Sequence, residues 1–109
     1  MNNNVFVAYV GPPSLHDGKI TGVRNGPGQV NVTVQSESGA LLSIDFTGVH
    51  SVRSNRPVGM VLYALCEMAA SGPRRRFVFA NWGEEDDATL EVQANGFTVS
   101  AVSSPRADA

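Results

Sequence analysis

Four consecutive acidic residues are the first candidate for chemistry in this chain. They are Glu84, Glu85, Asp86 and Asp87. Crowded carboxylates repel one another and attract cations or basic proteins. A calcium loop, however, alternates its oxygen ligands and has a glycine at a fixed position. Because these acids are contiguous, the pattern predicts no metal site. It favours an exposed hairpin tip on which a basic partner protein could dock.

The second candidate is the pair His16 and Asp17, with His50 further along the chain. Imidazole and carboxylate groups can act together as general acid and base. Adjacent residues of a strand point to opposite faces, however, and Asp17 before Gly18 is also an ordinary turn residue. Two interpretations stay open, a feature of the turn or the site of a small hydrolase or ligand-binding domain.

Three further features each have a functional and a structural interpretation. Trp82, next to the acidic run, is either an exposed binding residue or a side chain that closes the core. Cys66 lies on an apolar stripe, which favours an inert buried thiol over a nucleophile. The run Arg74 to Arg76 could contact phosphates, but arginines that follow a helix also stabilise its dipole. With no second basic cluster and a net charge of −2, the sequence argues against nucleic-acid binding.

The elements that must position these residues are mostly strands. The clearest hairpin brings three valines opposite three larger apolar residues: Val34 with Leu42, Val32 with Ile44, and Val30 with Phe46. This register leaves residues 37–39 as a loop whose last residue, Gly39, suits a left-handed bulge. A one-residue slip would turn Asp45 toward the core, so the pattern defines the register.

Two more hairpins are predicted near the end of the chain. In the first, Phe77 faces Val92 across a loop that holds Trp82 and the acidic run. The second is predicted from Asn95-Gly96, the residue pair most typical of a two-residue type I′ turn. That turn would pair alternating apolar residues: Ala94 with Phe97, Val92 with Val99, and Leu90 with Ala101.

Between these hairpins the apolar period changes to that of a helix. The apolar residues at helical spacing are Val58, Val61, Leu62, Leu65, Cys66 and Ala69. Pro57 suits the first turn, and Gly72-Pro73 would end the helix. The sequence therefore predicts one helix near 58–71 with Leu62 and Leu65 buried. The expected fold is α+β, a twisted antiparallel sheet or open barrel of about seven strands covered by that helix.

Length and composition limit the class of protein. A chain of 109 residues is expected to form a single domain over 1–109, with residues 104–109 as a frayed tail. One cysteine cannot form an internal disulfide, which favours a reducing compartment and hence the cytoplasm. No apolar run approaches the roughly 20 residues that span a bilayer, so no membrane role is predicted. No phosphate-binding loop, dinucleotide fingerprint or zinc ligand set is present in the sequence, so no cofactor is expected.

The order of several segments resembles a broad group of small, largely uncharacterised bacterial domains that includes toxin immunity proteins. The segments are "LHDGKITGV", "VNVTVQ", "LLSIDFTGVHSV" and "RFVFANWGEEDDATLEVQANGFTV". The resemblance implies a stand-alone protein-binding module without catalysis, and it transfers no functional residue. We therefore expect a non-enzymatic module whose protein partner contacts Trp82 and the acidic run, and the charge of that run favours a basic partner. The alternative is the small hydrolase or ligand-binding domain with His16, Asp17 and His50.

Overall fold

The structure, a computed structural model, describes residues 6–12, 15–70, 75–83 and 87–102. Nearly all regular structure in these residues is β-strand. The strands are β1 (Phe6–Val10), β2 (Lys19–Gly26), β3 (Gln29–Gln35), β4 (Leu41–Thr47), β5 (Ser51–Asn55), β6 (Leu62–Met68), β7 (Arg75–Asn81), β8 (Thr89–Ala94) and β9 (Gly96–Ala101). They form a five-stranded antiparallel sheet in the order β1-β6-β7-β8-β5 and a four-stranded antiparallel sheet in the order β2-β3-β4-β9. The predicted frayed tail lies outside the described residues.

The predicted hairpin of β3 and β4 is confirmed in its register. Val34 pairs with Leu42, and the other two predicted pairs follow in step. Gly39 has a φ of 95°, a left-handed conformation that an L side chain rarely adopts. The alternating pattern and the turn glycine specify the same register, which is why the sequence alone was sufficient here. Phe77 also pairs with Val92 as predicted.

The predicted helix near 58–71 is wrong, and so is the α+β fold class, because the described residues contain no α-helix. Leu62–Met68 instead form β6, paired with β1 on one edge and with β7 on the other. A register shift between Leu62 and Ala64 lets Leu62 and Leu65, three positions apart, both face the core. This irregular strand therefore imitates the spacing of a helix. No helix in the described part is long and apolar enough to cross a membrane.

The predicted hairpin at Asn95-Gly96 is also wrong. β8 pairs with β7 and β5, whereas β9 pairs with β4 of the other sheet. Neither Asn95 nor Gly96 has the positive φ that a type I′ turn requires. The Asn95 N–H donates instead to the carbonyl of Thr47 at 2.9 Å. The chain passes here from one sheet to the other, at a corner of the kind formed where strands switch sheets.

The core lies between the two sheets. The four-stranded sheet contributes Ile20, Val30, Val32, Val34, Ile44 and Phe46, and the five-stranded sheet contributes Leu62, Leu65, Phe77, Phe79, Leu90, Val92 and Ala94. Phe46 lies at the centre, with its ring 5.4 Å from that of Phe77 and 5.9 Å from that of Phe79. Side chains that alternate with these core residues point outward, so the five-stranded sheet has a separate outer face.

Candidate functional site

The turn that carries His16 and Asp17 is fixed to the beginning of β6. Leu15, at its start, is 1% exposed and anchors the turn in the core. The Asp17 N–H donates to the carbonyl of Leu62 at 2.8 Å, and the Leu62 N–H donates back to the carbonyl of Gly18 at 2.7 Å. Asp17 has a φ of 67°, a left-handed conformation that aspartate and asparagine tolerate better than most residues. The turn therefore holds His16 and Asp17 at one defined place beside Tyr63.

The His16 ring is oriented by a backbone carbonyl. Its Nδ1 lies 2.8 Å from the carbonyl oxygen of Tyr63. Because a carbonyl oxygen only accepts, Nδ1 is the nitrogen that carries the hydrogen. The other ring nitrogen, Nε2, faces the Oδ1 atom of Asp17 at 3.8 Å. The two predicted residues are thus brought together by the fold, beyond hydrogen-bond distance but within range of an ion pair.

His50 belongs to a different part of the sheet. Its N–H donates to the carbonyl of Gln93 at 2.7 Å, and Gln93 pairs with Arg76. His16 contacts the beginning of β6, where Leu62 pairs with Asn81. Arg76 and Asn81 mark opposite ends of β7, about 16 Å apart along the strand. The structure therefore does not bring His50 into one site with His16 and Asp17.

Trp82 connects the end of β7 to this turn. Its backbone N–H donates to the carbonyl of Val61 at 3.0 Å, and its indole Nε1–H donates to Oδ1 of Asp17 at 2.7 Å. The side chain remains 46% exposed. Of the two interpretations of Trp82, the exposed aromatic residue is therefore the one that the structure shows.

Trp82 is one member of a continuous group of rings on the outside of the five-stranded sheet. We call this group, Phe6, Tyr9, His16, Tyr63 and Trp82, the aromatic surface. Ring centroids lie 4.8 Å apart for Phe6 and Tyr9, 6.1 Å for Tyr9 and Tyr63, and 5.0 Å for Tyr63 and Trp82. His16 lies 5.4 Å from both Tyr63 and Trp82. The rings meet at tilted or edge-to-face angles, the geometry that aromatic quadrupoles favour.

The large side chains of the aromatic surface are substantially exposed to solvent. Phe6 is 48% exposed, Tyr9 61% and Tyr63 39%. A hydrogen bond with Tyr63 is the main reason that the pKa of Tyr9 is raised. Because each ring contacts a neighbour, the large side chains are held in place although they face solvent.

A groove opens beside the aromatic surface. Its volume is ≈ 270 Å³. Rings form one wall, and aliphatic side chains from the turn and the two adjoining strands form the rest. The lining residues that matter here are Tyr9, Val10, Leu15, His16, Tyr63 and Leu65. The groove is smaller than the ~300–1,000 Å³ typical of small-molecule sites, and it is large enough for one side chain of a partner.

Cys66 lies beneath this surface and is not available for chemistry. It pairs with Tyr9 across β1 and β6 and is 8% exposed. Burial raises the pKa of its thiol, which disfavours the nucleophilic thiolate. Its position matches the interpretation as a buried, inert thiol.

The acidic run is described only at its last residue. Glu84, Glu85 and Asp86 lie outside the described residues. Asp87 is exposed, forms an ion pair with Arg56, and accepts a hydrogen bond at its carbonyl from the Asn55 side chain at 2.9 Å. Within the described part of the chain, no group of three or more His, Cys, Asp or Glu side chains is placed to hold a metal ion.

Two arginines of the run Arg74 to Arg76 lie within the described residues, and both form ion pairs with carboxylates of the same chain. Arg75 forms a two-point ion pair with Glu67, with N–O distances of 3.0 and 2.8 Å. Arg76 forms the corresponding pair with Glu91, at 2.8 and 3.2 Å. Since both guanidinium groups are matched by carboxylates of the same chain, this pair of arginines is not a free phosphate-binding cluster.

Sequence reasoning missed three members of the aromatic surface, Phe6, Tyr9 and Tyr63. Tyr63 falls within the predicted helix, and Phe6 and Tyr9 lie in the first strand, whose sequence FVAYV has apolar residues on both faces. The available signal was the aromatic content of that first strand, because a strand with apolar residues on both faces either is covered on both faces or exposes one of them. Comparisons with family models, with curated proteins and with solved structures find no match to this chain.

Proposed function

We propose that this chain is a non-enzymatic module that binds a partner protein through the aromatic surface. One observation carries the proposal. Four large aromatic side chains, between 39% and 61% exposed, form an unbroken series of ring contacts on one face. Isolated exposed apolar residues are normal on protein surfaces, but contiguous apolar patches mark interaction sites.

The residue types favour a protein partner. Tyrosine and tryptophan are enriched among the residues that dominate binding energy at protein interfaces. The rings here are tilted by 59° to 86° against one another, so the aromatic surface is uneven, with a groove beside it. An uneven surface of this kind can interlock with the side chains of another protein.

The surface is also ordered before binding. The Trp82 indole is held by Asp17, and the His16 ring is held by the Tyr63 carbonyl. Immobilising a freely rotating side chain at an interface costs about 0.5–1.5 kcal/mol. Side chains that are already fixed avoid most of this cost. This order supports a binding role, because it lowers the entropy cost of association.

The alternative of a small hydrolase retains one supporting observation. His16 and Asp17 are in contact beside a groove, and Nε2 of His16 accepts no hydrogen bond from the described residues. A nucleophilic mechanism also needs a hydroxyl or thiol next to that nitrogen. The described hydrogen bonds of His16 include none to Ser, Thr or Cys, and His50 is remote. The binding role is therefore the better supported of the two.

The partner class and location remain part of the proposal. The resemblance to immunity-type domains implies a single protein partner, and the lone cysteine favours the cytoplasm. An immunity protein would act by covering the functional surface of its toxin. The aromatic surface is the part of the described chain best suited to that task.

The test is capture of proteins from the source organism on the immobilised chain, followed by binding measurements with the purified candidate. The test variant is Phe6→Ser with Tyr9→Ser, and the matched control is Val102→Ser, because Val102 is 41% exposed but joins the other sheet next to Leu41. We expect a protein that is retained by the native chain and the control and lost with the test variant. Equal capture by both variants would refute the proposed surface. Turnover of chromogenic esters that is lost in His16→Gln would favour the hydrolase instead.

A further inference from the structure

We infer that the aromatic surface receives an arginine side chain of the partner, with the guanidinium group between the rings and the Asp17 carboxylate. This inference rests on the proposed binding function and specifies the chemistry of the occupant. It depends on two independent features, an unmatched negative charge at the edge of the surface and ring faces that attract cations.

The charge of Asp17 is not balanced within the described chain. Three other carboxylates each have an arginine: Glu67 with Arg75, Glu91 with Arg76, and Asp87 with Arg56. Asp17 instead accepts the neutral indole N–H of Trp82 and lies 3.8 Å from His16, which carries charge only when protonated. Its side chain is 39% exposed. A partner's cation would give Asp17 the counter-charge that Glu67, Glu91 and Asp87 have within the chain.

The rings around Asp17 favour a cation as well. Guanidinium and ammonium groups bind to the faces of Trp and Tyr rings within about 6 Å of the centroid. The same chain shows this contact once internally, where the Arg75 guanidinium lies 5.0 Å from the ring centroid of Phe77. Trp82 presents an exposed ring whose N–H donates to this carboxylate, and the exposed ring of Tyr63 lies 5.0 Å from that of Trp82.

The shape of the site selects arginine among cations. A cage for a quaternary ammonium group needs a void enclosed by ring faces, but Tyr63 and Trp82 pack edge to face with centroids only 5.0 Å apart. A flat guanidinium can instead lie parallel to an exposed ring while the N–H groups at its edge donate to a carboxylate, a planar geometry that the lysine ammonium lacks. The long arginine stem is apolar and fits the groove whose wall includes Val10, Leu15 and Leu65.

The experiment uses Trp82 as a built-in probe, since it is the single tryptophan of the chain. Tryptophan fluorescence of the full chain is titrated at low salt with three end-blocked tetrapeptides, of arginine, lysine and citrulline. Citrulline has nearly the shape of arginine without its charge. We expect saturable binding of the arginine peptide, binding of the lysine peptide weaker by about three- to tenfold, and no saturable binding of the citrulline peptide.

Two variants locate the charge that is responsible. Asp17→Asn removes the charge but keeps the oxygen that accepts the indole N–H, and asparagine tolerates the φ of 67°. Asp45→Asn is the matched control, because Asp45 also accepts a side-chain hydrogen bond, from Asn31 at 2.6 Å, but on the four-stranded sheet. We expect about five- to tenfold weaker arginine binding in the first variant and unchanged binding in the second.

Three results would overturn the inference. These are equal binding of the citrulline peptide, no effect of Asp17→Asn, or an equal loss in both variants, which would show a general charge effect. Each is distinct from failure of the proposed function. A captured partner that depends on Phe6 and Tyr9 but not on the charge of Asp17 would keep the binding surface and remove the arginine.

Discussion

Trp82 and Asp17 are 65 positions apart in the sequence, and the indole N–H of Trp82 donates to Oδ1 of Asp17 at 2.7 Å. This bond joins the end of β7 to the turn before β2, so it crosses from one sheet to the chain that enters the other. Both side chains are substantially exposed. The bond therefore orders a surface rather than completing a core.

Removing the indole donor should destabilise the protein modestly. Trp82→Phe keeps an aromatic ring and deletes the N–H. A hydrogen bond to a charged group is worth about 1.5–3 kcal/mol, and the loss should lie at or below the lower end of that range because both side chains are exposed. Urea unfolding followed by circular dichroism measures the change. Asp17→Asn retains an acceptor for the same N–H and should stay closer to the native stability. A larger loss in Asp17→Asn than in Trp82→Phe would show that the bond is not what holds the turn.

Leu65→Ala should cost about 2–5 kcal/mol of unfolding free energy, because Leu65 is 1% exposed and its truncation leaves a cavity between the sheets. Chemical denaturation gives the value. Val58→Ala is the control from the same predicted helix, and with Val58 59% exposed it should change stability by no more than about 0.5 kcal/mol. Similar losses at both positions would contradict the strand assignment, since a helix with one apolar stripe would bury both.

The corner where the chain changes sheets contains two glycines, Gly48 and Gly96, that should respond differently to substitution, and Gly96 pairs with Thr47, the residue before Gly48. Gly48 has a φ of 63°, and a Cβ there would collide with the Asn95 side chain. Gly48→Ala should therefore lose about 1–3 kcal/mol. Gly96 has no positive φ, and a Cβ there would meet only the flexible Arg75 guanidinium at 3.8 Å, so Gly96→Ala should be tolerated. Thermal melts compare the two variants. A larger loss of stability in Gly96→Ala than in Gly48→Ala would support the two-residue turn that the sequence predicted.

Acid should remove the contribution of the Glu67–Arg75 ion pair to the free energy of unfolding. Its hydrogen bonds to Arg75 lower the pKa of the Glu67 carboxyl below its ordinary value. A carboxyl with a lowered folded-state pKa stabilises the protein above its unfolded-state pKa, and this stabilisation is lost as pH falls through the folded-state value. Glu67→Gln should thus be less stable than the native chain at pH 7, and the difference should shrink toward pH 3. Unfolding free energies at both pH values test this, and a difference independent of pH would contradict it.

The acidic run should hold no structural metal. Calorimetric titration of the chelator-treated protein with calcium and with magnesium should show no stoichiometric site, because contiguous acids lack the spacing of a calcium loop. Replacing Glu84 to Asp87 by Gln and Asn should leave the melting temperature nearly unchanged. The one described ion pair of the run, Asp87 with Arg56, is 74% and 65% exposed, and exposed pairs contribute about 0–1 kcal/mol. A micromolar site that disappears in the neutralised variant would disprove this prediction.

Local pattern was sufficient where two independent signals agreed. The β3–β4 register follows from period-two alternation and from a glycine at the position that needs a positive φ. The burial of Leu62 and Leu65 was also predictable, because strongly apolar residues are buried whatever element carries them. These inferences used only neighbours in sequence or a single short loop.

Tertiary structure decided the rest, because the deciding contacts are distant in sequence. β6 is a strand since β1 and β7 satisfy its two edges, and its register shift gives a helix-like spacing that no local rule separates from a true helix. Asn95-Gly96 is a corner rather than a hairpin turn because the carbonyl of Thr47 takes the Asn95 N–H. The aromatic surface likewise combines residues from β1, the turn after it, β6 and the end of β7. Each of those residues is an ordinary exposed or strand residue by itself, and only the packing of the strands makes them one site.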